Sequence, residues 1–283
     1  MNYRHGFHAG NFADVVKHAI LTLILGHLRA KETPFCVLDT HAGIGRYDLT
    51  GEQAVRTGEA KDGVLKLIAG DTAAPELAAY IDLLRDLNPG WPDLRLYPGS
   101  PAIVRALLRP QDRLVAVELH PEEARDLKHL FRSDKQVAVH EADAYTALKA
   151  HLPPKERRGL VLIDPPFEQP DEFRRLSHAL PEAVQRFRTG VFAIWYPIKA
   201  VAPVEQFRAE IARLGRPALA AEFYRYPPDN AERLNGMGLA IVNPPWKLDE
   251  TLERLLPVLA KALGATGGTK VIDIGGTATS PPP

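Results

Sequence analysis

The chain has 283 residues, 45% of them hydrophobic, enough to close a sizeable core around one α/β sheet that carries an insertion. Its 35 basic residues balance 35 acidic ones, so composition lends no support to nucleic-acid binding; Arg157-Arg158, Arg174-Arg175 and Arg186 with Arg188 make either a local patch or solvated helix faces. One cysteine, Cys36, excludes an intramolecular disulfide, and with no paired-cysteine or H-E-x-x-H pattern no metal is expected.

The opening MNYRHGFHAG lacks the apolar stretch of a signal peptide, and no run approaches membrane-spanning length, so a soluble cytoplasmic protein is expected. Tyr3, His5, Phe7 and His8 are more aromatic and imidazole side chains than a disordered tail needs. Behind Asn11, a candidate N-cap, Val15, Val16, Ile20, Leu23, Ile24 and Leu28 predict an amphipathic helix over 11–30. Lys17 and His18 on that helix either face a nucleotide or form a solvated pair. A strand follows at 35–38. Asp39 succeeds it, and Gly43 and Gly45 allow the next loop's backbone to approach a ligand closely. The D-x-x-x-G-x-G spacing resembles the nucleoside-binding loop of S-adenosylmethionine-dependent methyltransferases. It also resembles half of a dinucleotide fingerprint, but Asp48 stands where the third glycine belongs.

A ribose-binding acid should follow about 20 residues on, whereas the next convincing buried strand is 113–117, ending in Glu118. The gap implies a helical insertion over 48–97, with helices near 63–68 and 76–87 and the breaker NPGWP at 88–92; 1–47 and 98–283 form the core. Ser100-Pro101 reads as the N-cap and N1 of a helix, with cofactor binding by Ser100 as the alternative. Glu118 can take both ribose hydroxyls. Asp143, after a short strand over 136–140, either meets a cofactor's adenine amine or caps the next helix.

The run 160–163 is aliphatic without alternation, as suits a strand buried on both faces of a parallel sheet. Asp164 ends it. Pro165 and Pro166 stop the ladder and hold the carboxylate and the Pro165 carbonyl beyond the strand tip, where open α/β sheets bind ligands. These two acceptors match both hydrogens of adenine's exocyclic amine, and Phe167 can stack on an extracted base for about 1–3 kcal/mol. Alone, the motif also fits a structural proline turn. Three strand-end acids in order, Asp39, Glu118 and Asp143, then a fourth strand into DPPF, favour a base-methylating site. Beyond it a helix over 171–187, a strand at 190–196, a helix at 204–214 and strands at 218–226 and 238–242 are predicted. The last runs into NPPW at 243–246, a second match to the pattern, yet Asn243 cannot accept a proton and the acids precede DPPF. VIDIGGTATS near the end leaves too little chain for a glycine loop's helix, so a terminal strand or loose end is expected.

YRHGFHAGNFADVVKH, LDTHAGIGRY, YPGSP, ELHP, RRGLVLIDPPF, WYP and NPPWKL together resemble the RlmJ family of 23S ribosomal RNA adenine-N6 methyltransferases over nearly the whole chain. The resemblance implies an α/β, Rossmann-like class I S-adenosylmethionine-dependent methyltransferase with a seven-stranded type of sheet and a small inserted helical subdomain. It implies S-adenosylmethionine as cofactor and one adenine of 23S rRNA, protein-free or in early assembly, as substrate, with Asp164 as catalytic acceptor. His18, His41, Ser100, Glu118 and Asp143 become cofactor contacts, and Tyr3 and His5 fall in the family's N-terminal motif that closes over the site. To these we add Lys17, Asp39, Gly43, Ala144 and Asp164 on the cofactor, Pro165 and Phe167 in catalysis, and Phe167 with Tyr3 and His5 on the substrate. Ala144 stands where relatives can have Gly, and Phe167 replaces a commoner Tyr, keeping the stacking face without the hydroxyl. A monomer is expected. A DNA adenine methyltransferase, a nicotinamide oxidoreductase and a non-catalytic RNA-binding module are the alternatives.

Overall fold

The computed structural model describes residues 4–70 and 72–275. A 3-10 turn at His5–Phe7 leads into α1 (Phe12–Arg29), whose Asn11 cap accepts the Asp14 amide at 2.9 Å. There follow β1 (Cys36–Asp39), β2 (Arg46–Asp48), α2 (Glu52–Thr57), α3 (Val64–Ile68), α4 (Ala78–Leu87), β3 (Leu96–Pro98), α5 (Ser100–Leu107), β4 (Arg113–Glu118), α6 (Pro121–Leu130), β5 (Val137–Glu141) and α7 (Ala144–His151). The second half holds β6 (Gly159–Ile163), α8 (Glu172–Arg186), β7 (Val191–Ile198), α9 (Val201–Ala212), β8 (Ala218–Tyr224), β9 (Gly236–Val242), α10 (Leu248–Leu263) and β10 (Gly268–Asp273).

Eight strands form one sheet in the order β10-β8-β9-β7-β6-β1-β4-β5. From β5 to β7 the pairings are parallel; β9, β8 and β10 are added antiparallel. The chain moves outward from β1 to β4 and β5, then returns to β6 on the other side of β1. That reversal puts a topological switch point at the carboxyl ends of β1, β4 and β6, where a ligand crevice forms. The fold is α/β and Rossmann-like.

Strand periodicity assigns the two faces. Val37, Leu160 and Leu162 pack into one layer with α1, α5 and α10, while Leu38, Val161 and Ile163 pack into the other with α7, α8 and α9. Both layers are apolar, which is why β1 and β6 are buried throughout. Between β2 and β3, which pair as a short antiparallel ribbon, α3 and α4 bury Val64, Leu67, Tyr80 and Leu84 in the same cluster as α1. No helix among the described residues is long and apolar enough to cross a membrane.

Two expectations need correction. The sheet has eight strands rather than seven: β8 is buried along its whole length, and β10 covers its edge in register from Gly268↔Tyr224 to Asp273↔Leu219. Gly99, not Ser100, is the N-cap of α5, because the close approach of Gly99 to Gly45 and Tyr47 starts the helix one residue earlier. Ser100 is then the first helical residue, and its hydroxyl bears on Asp39 instead.

Candidate active site

A cavity of about 460 Å³ opens over the switch point. Its wall brings together His5, Lys17, His18, His41, Gly43, Ser100, Glu118, Asp143, Ala144, Asp164, Pro165 and Phe167, residues drawn from seven separate stretches of sequence. Asp39 is not on the wall. It lies fully buried, with Oδ1 accepting the His41 amide at 3.4 Å. Burial pushes its carboxyl up to about 7, the Ser100 hydroxyl opposing and the Asp164 charge adding to the rise. Tyr3 lies outside the described residues.

One half of the cavity is built around Glu118 and Gly43. Glu118 is held by two backbone amides, Gly43 N–H on Oε2 and His120 N–H on Oε1, each at 2.8 Å, so its carboxylate is fixed at the tip of β4. Gly43 has φ +59°, and a Cβ there would lie 2.2 Å from the Tyr47 hydroxyl. Asp143 both lines the cavity and caps α7: Oδ1 accepts the Thr146 amide at 3.0 Å, while Oδ2 stands 3.6 Å from Arg175. The two readings of Asp143 are therefore compatible, one per oxygen. Leu119, 47% exposed, supplies an apolar surface beside Glu118. Hydroxyl and amine acceptors flanking an apolar wall and a glycine loop fit an adenosine.

His41 joins this half to the next. Burial lowers its pKa to about 4 against the opposing charge of Asp164, so the ring is neutral near pH 7. Its Nδ1 accepts the Asp164 amide at 3.3 Å, which leaves the ring proton on Nε2. His18 is also neutral, lowered to about 3 by burial and by the charge of Lys17. It is stacked on Tyr97 and hydrogen-bonded to that hydroxyl at 2.8 Å, so Lys17 and His18 are not a solvated pair.

The other half is organised by Lys17. Its Nζ lies 2.5 Å from Asp164 Oδ2 and 2.9 Å from Asp14 Oδ1, and Asp14 Oδ2 in turn meets His5 Nε2 and the Gly10 amide, each at 2.9 Å. Burial works to lower the Lys17 pKa, but the two carboxylates outweigh it and hold the ammonium well above its ordinary range. Burial likewise works to raise Asp14, and the charges of His5 and Lys17 reverse the sign, leaving it well below the usual carboxylate range. Sequence reading missed Asp14, since an acid in the first turn of a helix ordinarily serves the helix dipole. The available signal was its i, i+3 spacing to Lys17 behind a His-rich segment.

Beyond Asp164 the chain turns sharply. Phe167 has φ +49°, a strained value for an aromatic residue, and its ring is braced edge to face by Phe173 at 4.8 Å and Trp195 at 5.7 Å. A further group lies on the wall nearby, in which Arg175, read from the sequence only as half of a basic pair, covers the Tyr145 ring at 4.6 Å and pairs with buried Glu172 at 3.2 Å, and Tyr145 donates its hydroxyl to Glu172; sequence reading missed Tyr145 and Glu172.

NPPW lies elsewhere. Because β9 runs antiparallel to β7, with Val242 opposite Phe192, Asn243 leaves the sheet at the amino end of β7, away from the strand tips that carry Asp164. Its side chain donates to the carbonyls of Gly190 at 2.7 Å and Arg188 at 3.1 Å, and tethers the start of that strand.

Residues 32–274 match the family described as ribosomal RNA large subunit methyltransferase D, RlmJ. Proteins named ribosomal RNA large subunit methyltransferase J from Escherichia coli and from Haemophilus influenzae are each 41% identical over 268 residues, covering 94% of this chain and 95% of theirs. The crystal structure of a Legionella pneumophila protein superposes with a TM-score of 0.87 at 35% identity, covering 95% of this chain and 98% of that one. A probable spermidine synthase from Corynebacterium glutamicum, 12% identical with a TM-score of 0.50 over 94% of this chain and 82% of its own, shares the fold alone.

Proposed function

The chain belongs to the RlmJ family of ribosomal RNA large subunit methyltransferases, and from that premise we propose that it methylates the exocyclic amine of one adenine in 23S ribosomal RNA. Its fold is that of the class I S-adenosylmethionine-dependent methyltransferases. The observation that carries the reading is the single cavity joining Glu118 and Gly43 to Asp164 and Phe167, a nucleoside half continuous with a base-sized half. S-adenosylmethionine is the donor and supplies an electrophilic sulfonium methyl group; Glu118 would hold its ribose and Asp143 Oδ2 its adenine amine.

The target base is flipped from a helix or taken from a single strand, and the open face of Phe167 stacks on it. Lys17 occupies Asp164 Oδ2, which leaves Oδ1 and the Pro165 carbonyl to accept the two amine hydrogens and turn the nitrogen lone pair toward the donor. A carboxylate is too weak a base to deprotonate a neutral amine. The proton therefore would pass to Asp164 only as the N–C bond forms in exchange for the S–CH3 bond of the sulfonium, which would leave as a neutral thioether, and the nitrogen becomes cationic and acidic. Proximity and orientation carry most of the rate enhancement.

The test is transfer of labelled methyl from S-adenosylmethionine to protein-free 23S RNA and to duplex DNA, by wild type and by Asp164→Asn. Label in RNA adenine, lost at least 100-fold in the variant, is expected on an orientation and acid–base role of about 3 kcal/mol. Label confined to DNA would overturn the substrate, and full activity of the variant would overturn the mechanism.

A further inference from the structure

A second depression, open to solvent and about 770 Å³ in volume, lies among β2, α5 and the turn joining α6 to β5. It adjoins the cavity through one short loop. Gly43 lines the cavity and Arg46 lines this groove, so at most roughly 10 Å of chain separates the two walls. Gly45 seats the loop between them, since a side chain there would meet Leu130 and Leu127 of α6 at 2.8 and 2.9 Å.

The groove is basic on a chain whose formal charge is zero. Its wall includes Arg46, Arg105, His129, Arg132 and Lys135 against one acid, Asp134. Asp134 is already engaged, by the Arg105 guanidinium and by the Gln136 amide at 2.9 Å. Arg46, Arg132 and Lys135 are exposed and make no ion pair among the described residues. Three such cations around one open groove repel one another, and a bound polyanion removes that repulsion while exchanging its own counterions for them.

We propose that this groove binds the phosphate backbone of the substrate RNA a few nucleotides from the base that enters the cavity, an inference that rests on the RNA-methylating reading above. A separation of at most roughly 10 Å spans no more than about three rises of 3.4 Å along a strand. An open groove with guanidinium and ammonium groups suits phosphate contacts that set register, while the cavity selects the base.

The experiment measures binding of protein-free 23S RNA to the full chain as a function of salt. Arg46→Ala/Arg132→Ala/Lys135→Ala is compared with wild type and with Lys155→Ala/Arg213→Ala/Lys261→Ala, which removes equal charge from exposed positions elsewhere. Each lost phosphate contact lowers the slope of log K against log salt by about 0.7 for single strands and 0.9 for duplex, so a loss of about 2 to 3 is expected in the groove variant alone. The variant Arg46→Lys/Arg132→Lys is expected to keep the wild-type slope, and unchanged S-adenosylmethionine affinity and melting temperature in all variants would show that folding is intact. An unchanged slope in the groove variant, or an equal loss in the control, overturns the groove while methyl transfer to RNA still stands. Wild-type protein that forms no RNA complex and transfers no methyl to RNA overturns the groove together with the reading beneath it.

Discussion

Lys17 is shared between Asp14 and Asp164 inside the protein, and a charge so placed cannot be removed without stranding its partners. Lys17→Met is therefore expected to cost about 3–5 kcal/mol of stability in denaturant unfolding. Adding Asp14→Asn should restore much of that stability but not methyl transfer, because Asp164 remains without the cation that orients it; recovery of both would reduce Lys17 to a structural role. Asp39 gives a separate pH signature. Its folded pKa, about 7, lies above the ordinary value of 3.8, so its contribution is fully present below about pH 4 and is lost as pH rises through 7. Asp39→Asn should thus gain about 4 kcal/mol relative to wild type between pH 4 and pH 8, and a pH-independent difference would contradict the burial of this carboxyl.

The strand β6 and the turn after it were legible as an element: an unbroken aliphatic run, an acid and two prolines place a carboxylate beyond a buried strand wherever that strand sits in the sheet. Its look-alike at β9 shows what a motif omits. DPPF and NPPW share their punctuation, but β6 runs parallel to β7 and β9 antiparallel to it, which sends the two motifs to opposite ends of the sheet. Asn243→Ala is accordingly expected to cost about 1–3 kcal/mol through lost hydrogen bonds to Gly190 and Arg188, with methyl transfer per folded molecule unchanged. A drop in specific activity at unchanged stability would return NPPW to the active site. Sequence reading missed α10, although Leu248, Leu252, Leu255, Leu256, Leu259 and Leu263 keep helical spacing and form its buried face.

Across the whole molecule, the strand tip that carries Asp164 and the edge strand β10 lie far apart in the sheet, with β9 and β7 between β8 and β6. A chain ending at Gly264 should leave β8 as an uncovered apolar edge, so self-association in size-exclusion chromatography is expected, with methyl transfer retained by the monomeric fraction. Inactive monomer would instead tie β10 to the site. By itself the sequence determined the α/β class, the N-cap at Asn11, the strand-end acids Asp39, Glu118 and Asp164, and the loop of Gly43, because periodicity, caps and chain-breaking residues act over a few neighbouring positions. Only the tertiary structure decided that Asp14 and Asp164 meet across Lys17, that Asp39 sits beneath the wall, and that three cations border a groove beside the cavity. Those relations depend on strand order and direction, which bring Lys17 and Asp164, 147 positions apart, into contact, and spacing along a single chain does not encode them.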